Sequence, residues 1–163
     1  MGSGTRSGAP ELKKLSLQRA KSSDLLEVAA LERECYADPW PASAFATLPD
    51  NTRVYFTLAR HDVQGRLAGY VVAWYVVDEG ELANLAVAPG YRGRGIGGAL
   101  LDAMLADAGT RGITQVYLEV RESNVAARRL YAGRDFEEVG RRKQYYRNPM
   151  EDALILRRSI KAK

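Results

Sequence analysis

Eight consecutive residues combine glycines with cations in a pattern typical of an anion-binding loop: Tyr91-Arg92-Gly93-Arg94-Gly95-Ile96-Gly97-Gly98. Glycines let the backbone approach a bulky anion without Cβ atoms in the way. The segment follows a predicted strand and opens a predicted helix, so unpaired N–H groups of the first helical turn would point at that anion. Because the two arginines complement phosphate, the pattern predicts a pyrophosphate-binding site rather than a simple tight turn.

The same glycines also satisfy the dinucleotide-binding pattern G-x-G-x-x-G, through Gly93, Gly95 and Gly98. Glu119 even follows at about the 20-residue distance where that pattern places a ribose-binding acid. A dinucleotide fold needs repeated βα units and a parallel sheet, whereas a meander of strands precedes this loop and few residues follow it. A P-loop is excluded because Ala-Leu follows Gly98, where Lys and Ser/Thr are required.

The composition limits the classes of protein and the kinds of site that the chain can contain. The 163 residues suit one domain with its own core, and the 27% charged fraction is ordinary for a globular protein. The net charge of +4 is weaker than a nucleic-acid binder usually carries, so no direct nucleic-acid binding is expected. One cysteine, Cys35, and one histidine, His61, cannot form a disulfide framework or an ordinary zinc site. We therefore expect a cytoplasmic protein without a metal and without a membrane span.

Hydrophobic periodicity and turn residues predict seven strands and four helices. The strands are expected at residues 15–19, 54–60, 67–77, 81–87, 114–120, 136–146 and 153–157, and the helices at 24–35, 42–48, 95–108 and 124–131. Short connections between the second, third and fourth strands favour an antiparallel meander. Residues 1–13 are expected to be a flexible leader, and residues 14–160 a single domain.

The chain resembles the GNAT acetyltransferases in the motifs around the glycine loop. Arg92 to Gly97 matches the family's R/Q-x-x-G-x-G/A loop, which holds the pyrophosphate of coenzyme A. The other matching segments, in order, are Leu85-Ala86-Val87, Leu118-Glu119-Val120-Arg121, Ser123-Asn124, Ala126-Ala127, Leu130-Tyr131 and Phe136. Within the family the chain resembles the RimI type, the bacterial ribosomal-protein alanine N-acetyltransferases. That likeness rests on Pro39-Trp40, Phe45, the Leu-Glu-Val-Arg strand end, Tyr145-Tyr146 and Glu151-Asp152-Ala153.

The resemblance, which covers residues 15–160, implies an α+β fold. A mixed, mostly antiparallel central sheet of about seven strands would be flanked by about four helices. One departure concerns the turn before Phe136, where the family usually has glycine and this chain has Asp135. Aspartate tolerates the left-handed conformation better than most residues, so we expect the turn to form.

The resemblance also implies direct acetyl transfer from acetyl-CoA to an amine within a ternary complex, with coenzyme A as product. Glu119 matches the family's base, and Tyr131 matches the acid beside the thiolate. From the residues alone Glu119 could equally be a surface glutamate, and Tyr131 would be interpreted as a core tyrosine. A bulged strand containing Leu85, Ala86 and Val87 would offer a backbone N–H to the acetyl carbonyl. Asn124 would lie near the pantetheine, be a helix N-cap, or both.

The remaining cofactor-binding residues implied by the resemblance are those of the pyrophosphate loop: Arg92, Gly93, Arg94, Gly95, Ile96 and Gly97.

The resemblance places the acceptor between segments 36–45 and 141–152. Trp40, Tyr145 and Tyr146 would line a groove there or simply pack in the core. A basic cluster, Arg141, Arg142, Lys143 and Arg147, is either a solvated face or a contact for an acidic peptide or ribosomal RNA.

The expected substrate is a protein N-terminus, an alanine of a ribosomal protein. Lysine or small-amine acetylation stays open, as does a catalytically silent acyl-CoA-binding module. Few acidic residues lie in the two acceptor segments, which argues mildly against a polycationic substrate.

Overall fold

The computed structural model describes residues 14–62 and 64–161, so the leader predicted at residues 1–13 lies outside the described residues. The strands are β1 (Leu15–Arg19), β2 (Val54–His61), β3 (Arg66–Val76), β4 (Glu79–Val87), β5 (Gln115–Arg121), β6 (Glu137–Tyr146) and β7 (Glu151–Ser159). The helices are α1 (Leu25–Cys35), α2 (Ala42–Phe45), α3 (Ile96–Thr110) and α4 (Val125–Ala132). The predicted α+β class is confirmed. No helix within the described ranges is long and apolar enough to cross a membrane.

The seven strands form one sheet in the order β1-β2-β3-β4-β5-β7-β6. The first four strands form the predicted antiparallel meander. β4 and β5 are parallel, because the connection between them crosses over through α3. This single parallel pair breaks the antiparallel pattern in the middle of the sheet.

Helices cover the two faces of the sheet unequally. On one face, α3 packs Leu100, Leu101 and Met104 into a core shared with β3, β4, β5 and β7. On the other face, α1 and α2 pack Val28 and Phe45 against β2, β3 and β4 only. The face of β5, β6 and β7 on this second side therefore has no helix over it among the described residues.

Most element bounds agree with the predictions to within two residues. The second helix stops at Phe45 rather than at residue 48, because the chain then continues in single turns such as the Leu48 N–H to the Phe45 carbonyl. β7 extends two residues beyond its prediction at each end, since it has pairing partners in both β5 and β6. Asp135 takes a left-handed φ of 64°, as predicted, where the family usually has glycine.

Candidate functional site

The site is a cleft where β4 and β5 separate. The two strands pair only from Glu79 opposite Gln115 to Leu82 opposite Leu118, and no pairing is formed beyond that point. The cleft that opens there has a volume of about 950 Å³. Its walls come from the end of α1, from β4, β5 and α4, and from the loop between β6 and β7.

A β-bulge turns the open edge of β4 toward this cleft. Asn84 is opposite Val72 while Leu82 is opposite Ala73, so Ala83 is an extra residue without a partner. The Ala88 N–H donates to the Ala68 carbonyl, which places the even-numbered residues of this segment in hydrogen bonds to β3. Residues 85 and 87 therefore direct both their N–H and their C=O groups away from β3.

Leu85, Ala86 and Val87, which the sequence analysis grouped together, therefore do not all direct their backbone groups to the same edge of β4. Leu85 and Val87 lie on the open edge, where the Leu85 carbonyl accepts from the Tyr36 hydroxyl at 2.6 Å and the Val87 carbonyl accepts from Arg92 Nε at 3.0 Å. Ala86 instead pairs with Tyr70 within the sheet, so its backbone is not presented to the cleft. The N–H groups of Leu85 and Val87 are the ones that can reach a ligand.

The glycine loop has the backbone conformation that its composition predicts. Gly93 and Gly95 have φ values of 76° and 82°, a region that other residues rarely adopt. Gly95 precedes α3, whose first hydrogen bond runs from the Ala99 N–H to the Gly95 carbonyl at 3.0 Å. The amides of Ile96 and Gly97 therefore have no acceptor within the helix and are available to an anion.

The two arginines of the loop are held close to it. Arg92 is fixed to the end of β4 by its bond to the Val87 carbonyl, and the Arg94 guanidinium lies 5.6 Å from the centre of the Tyr91 ring. Both cations thus belong to the loop that leads into the amides of α3 that have no helical acceptor. The loop, its amides and its cations together have the features that a phosphate-bearing ligand requires.

Glu119 lies on β5 at the mouth of the cleft. Its Oε1 atom is 2.7 Å from Nε of Arg142, and its side chain is 25% exposed. The charge of Glu119 is the main cause that raises the pKa of Tyr145 above its usual value. Arg142 is itself 57% exposed, so this ion pair is a weak contact that a competing cation can replace.

Tyr131 reaches the cleft from α4. Its side chain is 7% exposed and packs edge-on against Phe136, with 5.6 Å between the ring centres. Burial, followed by the nearby Tyr146, raises the pKa of Tyr131 well above its usual value. The phenol therefore keeps its proton at neutral pH and can act as a donor.

Asn124 begins α4 as an N-cap, because its Oδ1 atom accepts from the Ala127 N–H at 3.1 Å. It also lines the cleft. Both interpretations left open by the sequence are therefore compatible with its position.

The sequence did not indicate the role of Arg121, which fixes the loop between β6 and β7. Its guanidinium donates to the carbonyls of Arg147 and Pro149 at 2.8 and 2.9 Å, and it lies 4.4 Å from the centre of the Tyr146 ring. The Oε1 atom of Glu151 lies 3.1 Å from the same guanidinium. Arg121 therefore holds Tyr146 and the 147–149 backbone at the rim of the cleft.

Glu32, which the sequence also did not single out, is the acceptor of a buried network. Its side chain is only 1% exposed, and it accepts from the Tyr70 hydroxyl, from Asn84 Nδ2 at 2.8 Å and from the Trp40 N–H at 3.1 Å. The network connects α1, the loop after it and the bulged part of β4. A signal existed, because Glu32 falls on the same helical face as the buried Val28.

Both predicted acceptor segments contribute residues to the walls of the cleft. Trp40, Tyr145 and Tyr146 all line it, and Trp40 also packs on Phe45 with 5.4 Å between ring centres. Both predicted roles, groove and core, thus apply to Trp40.

The basic cluster is less positive than its sequence suggests. Arg141 pairs with Glu122 and Asp152 at 2.8 and 2.9 Å, and Arg142 pairs with Glu119. Two of its four cations are therefore already occupied by carboxylates.

Comparison with known proteins gives consistent matches along almost the whole chain. Residues 25–136 match the acetyltransferase (GNAT) family. The [ribosomal protein bS18]-alanine N-acetyltransferase of Escherichia coli is 33% identical over 143 residues, which are 86% of this chain and 95% of that protein. The enzyme of the same name from Haemophilus influenzae is 31% identical over the same shares. The crystal structure of the Escherichia coli ribosomal-protein-S18-alanine N-acetyltransferase superposes with a TM-score of 0.84 at 31% identity, covering 91% of this chain and 96% of the other.

Proposed function

The chain belongs to the acetyltransferase (GNAT) family, and we propose that it acetylates the N-terminal α-amine of a ribosomal protein, with alanine as the acceptor residue. The two relatives described above, of which this chain covers 95% of the length, are named for this substrate, and their names support the proposal. The observation that carries the chemistry is the cleft itself, in which a carboxylate, a protonated phenol and an open strand edge converge. A ribosomal acceptor would place the reaction in the cytoplasm.

Acetyl-CoA supplies the acetyl group as an activated thioester. The residues present fit this donor: the free amides at the start of α3, with Arg92 and Arg94, suit its pyrophosphate. The N–H groups of Leu85 and Val87 lie on an unpaired strand edge, and that of Val87 suits an amide carbonyl of a pantetheine chain. Asn124 stands beside the same cleft.

Glu119 acts as the general base in this proposal. An α-amino group has a reference pKa of about 7.7–8.0, so one carboxylate is enough to take its proton near neutral pH. The incoming ammonium competes with Arg142 for Glu119, because both are cations and Arg142 is itself mostly exposed. Displacement of Arg142 would leave Glu119 in contact with the amine that must be deprotonated.

Tyr131 acts as the general acid. The thiol that leaves has a reference pKa of about 8.5, below that of a phenol, so Tyr131 assists its departure chiefly by donating a hydrogen bond to the sulfur as negative charge develops there. Burial keeps Tyr131 protonated until that moment. The N–H of Leu85, already fixed by the sheet, would donate to the oxygen that becomes negative as the amine adds.

An α-amine suits this site better than a lysine side chain. Lysine has a reference pKa of about 10.4, so a single carboxylate would deprotonate it much less often at neutral pH. Both Glu119 and Tyr131 line the cleft, which favours an enzyme over a silent acyl-CoA-binding module.

Two short peptides test the proposal. One has a free N-terminal alanine and no lysine, and the other has a blocked N-terminus and one internal lysine. We expect acetyl transfer from acetyl-CoA to the first peptide only. Transfer only to the second would replace the proposal with lysine acetylation, and binding of acetyl-CoA without transfer to either would argue for a small amine or a silent module.

A further inference from the structure

A second, smaller concavity continues from the cleft along the uncovered face of the sheet. It has a volume of about 300 Å³, and Glu119 belongs to both cavities. We call it the sheet-face groove. Its lining residues are Trp74, Val76, Glu79, Gly80, Glu81, Tyr117, Leu118, Glu119, Arg142 and Ile155.

The floor of the sheet-face groove is a row across three neighbouring strands. Trp74 of β3 is opposite Glu81 of β4, and Glu81 is opposite Tyr117 of β5. Trp74 and Tyr117 are half-buried and Glu81 is exposed. The row therefore places a carboxylate between two aromatic side chains.

The groove carries more negative than positive charge. Glu79 and Glu81 form no ion pair or side-chain hydrogen bond with any described residue, whereas Arg142 pairs with Glu119. Glu119 and, to a smaller extent, Glu81 raise the pKa of Tyr145, so the charge of Glu81 acts on the mouth of the cleft. Three carboxylates and one guanidinium leave an excess of negative charge that complements a cation.

The distance from Glu119 to the charged row indicates which residue of the acceptor could reach it. Tyr117 is two residues before Glu119 on β5, which is roughly 7 Å along a strand. An extended peptide advances about 3.3 Å per residue, so an acceptor whose α-amine is at Glu119 has its second or third side chain at this distance. The side chain of the acceptor's first residue lies too close to Glu119 to reach the row formed by Trp74, Glu81 and Tyr117.

We propose that the sheet-face groove binds a cationic side chain, arginine or lysine, at the second or third position of the acceptor polypeptide. Arginine suits it best, because its planar guanidinium can lie on the ring of Trp74 or of Tyr117 while it pairs with Glu81 between them. The inference rests on the proposed function and narrows it to protein N-termini with a cation close to the terminal residue. The charge is supplied by β4, outside the two acceptor segments recognised in the sequence.

The test compares peptides that differ only at positions two and three. Each begins with alanine and carries arginine, the neutral isostere citrulline, or glutamate at those positions. For the wild type we expect kcat/KM to fall from arginine to citrulline by about two- to fivefold, the range of an exposed ion pair, and to fall again for glutamate. Glu81→Gln should remove most of the difference between arginine and citrulline, and Glu81→Arg should favour the glutamate peptide.

Glu137→Gln is the matched control, because Glu137 is also an exposed strand glutamate but lies on β6 away from the groove. It should keep the wild-type preference, and the KM for acetyl-CoA should be the same in all variants. Equal rates on the three peptides for the wild type, or an unchanged preference in Glu81→Gln, would overturn the groove assignment while leaving N-terminal acetylation intact. No transfer to any of the peptides would overturn the proposed function and this inference together.

Discussion

Replacing Glu32 by methionine removes a carboxylate on which three donors from separate parts of the chain converge. The Tyr70 hydroxyl, Asn84 Nδ2 and the Trp40 N–H all donate to it in a site where Glu32 is 1% exposed. Methionine has a similar length and accepts hydrogen bonds only weakly, so the change tests the polar network with little loss of volume.

The magnitude follows from the number of donors left without an acceptor. An unsatisfied buried donor costs about 1–3 kcal/mol, and the nearby cleft gives some of these donors access to water. We therefore expect a loss of about 3–5 kcal/mol in the free energy of unfolding. For a chain of this size that corresponds to a fall in Tm of roughly 10 °C.

The assay is denaturant and thermal unfolding of Glu32→Met beside two other variants. Glu32→Gln keeps one acceptor oxygen and should lose only about 1 kcal/mol, and Glu34→Met, on the exposed side of α1, should stay within about 0.5 kcal/mol of the wild type. If Glu32→Met were as stable as Glu34→Met, the network would not stabilise the fold, and our account of how α1 and the bulge are held together would be wrong.

Three further changes separate the parts of the cleft. Gly95→Ala places a side chain at a φ of 82°, which costs about 1–2 kcal/mol of strain, so it should raise the KM for acetyl-CoA in steady-state kinetics without changing the KM for the acceptor peptide. Arg121→Lys cannot bond two backbone carbonyls with a planar fork, so it should raise the acceptor KM several-fold while the KM for acetyl-CoA stays constant; the reverse pattern would contradict the role given to Arg121. The backbone N–H of Gln144 and then Arg141 hold the pKa of Asp152 below its usual value, so Asp152 contributes stability above the unfolded-state pKa and loses it as the pH falls through about 4 and lower. The free energy of unfolding, measured from pH 6 to pH 2.5, should therefore fall more steeply with decreasing pH in the wild type than in Asp152→Asn, and parallel curves would refute this.

The sequence predicted the parts of the site that depend on neighbouring residues. The conformation of the glycine loop and the left-handed turn at Asp135 are local properties, and both follow from residue type. The sequence did not show that Leu85 and Val87 direct their backbone groups to one edge of β4 and Ala86 to the other. This difference depends on which residues of β3 pair with β4. Once the register is known, the backbone groups of Leu85 and Val87 are the ones directed away from β3.

The parts that the sequence did not reveal depend on long-range contacts. Glu32 meets Tyr70 and Asn84 only through tertiary packing, and nothing near it in the chain identifies them as partners. The charge of Glu81 becomes relevant to the acceptor only because β4 and β5 separate beyond Leu82. Strand alternation alone places Glu81 on one face, but it does not tell which face carries the cleft.

The central claim is that Glu119 takes the proton from an N-terminal α-amine. The measurement is single-turnover acetyl transfer from acetyl-CoA to an alanine-initiated peptide by the wild type and by Glu119→Gln, with acetyl-CoA affinity determined separately. The account predicts unchanged acetyl-CoA affinity and a transfer rate that is lower by about 100-fold or more. Equal transfer rates for the two proteins would contradict it and would remove Glu119 from the mechanism.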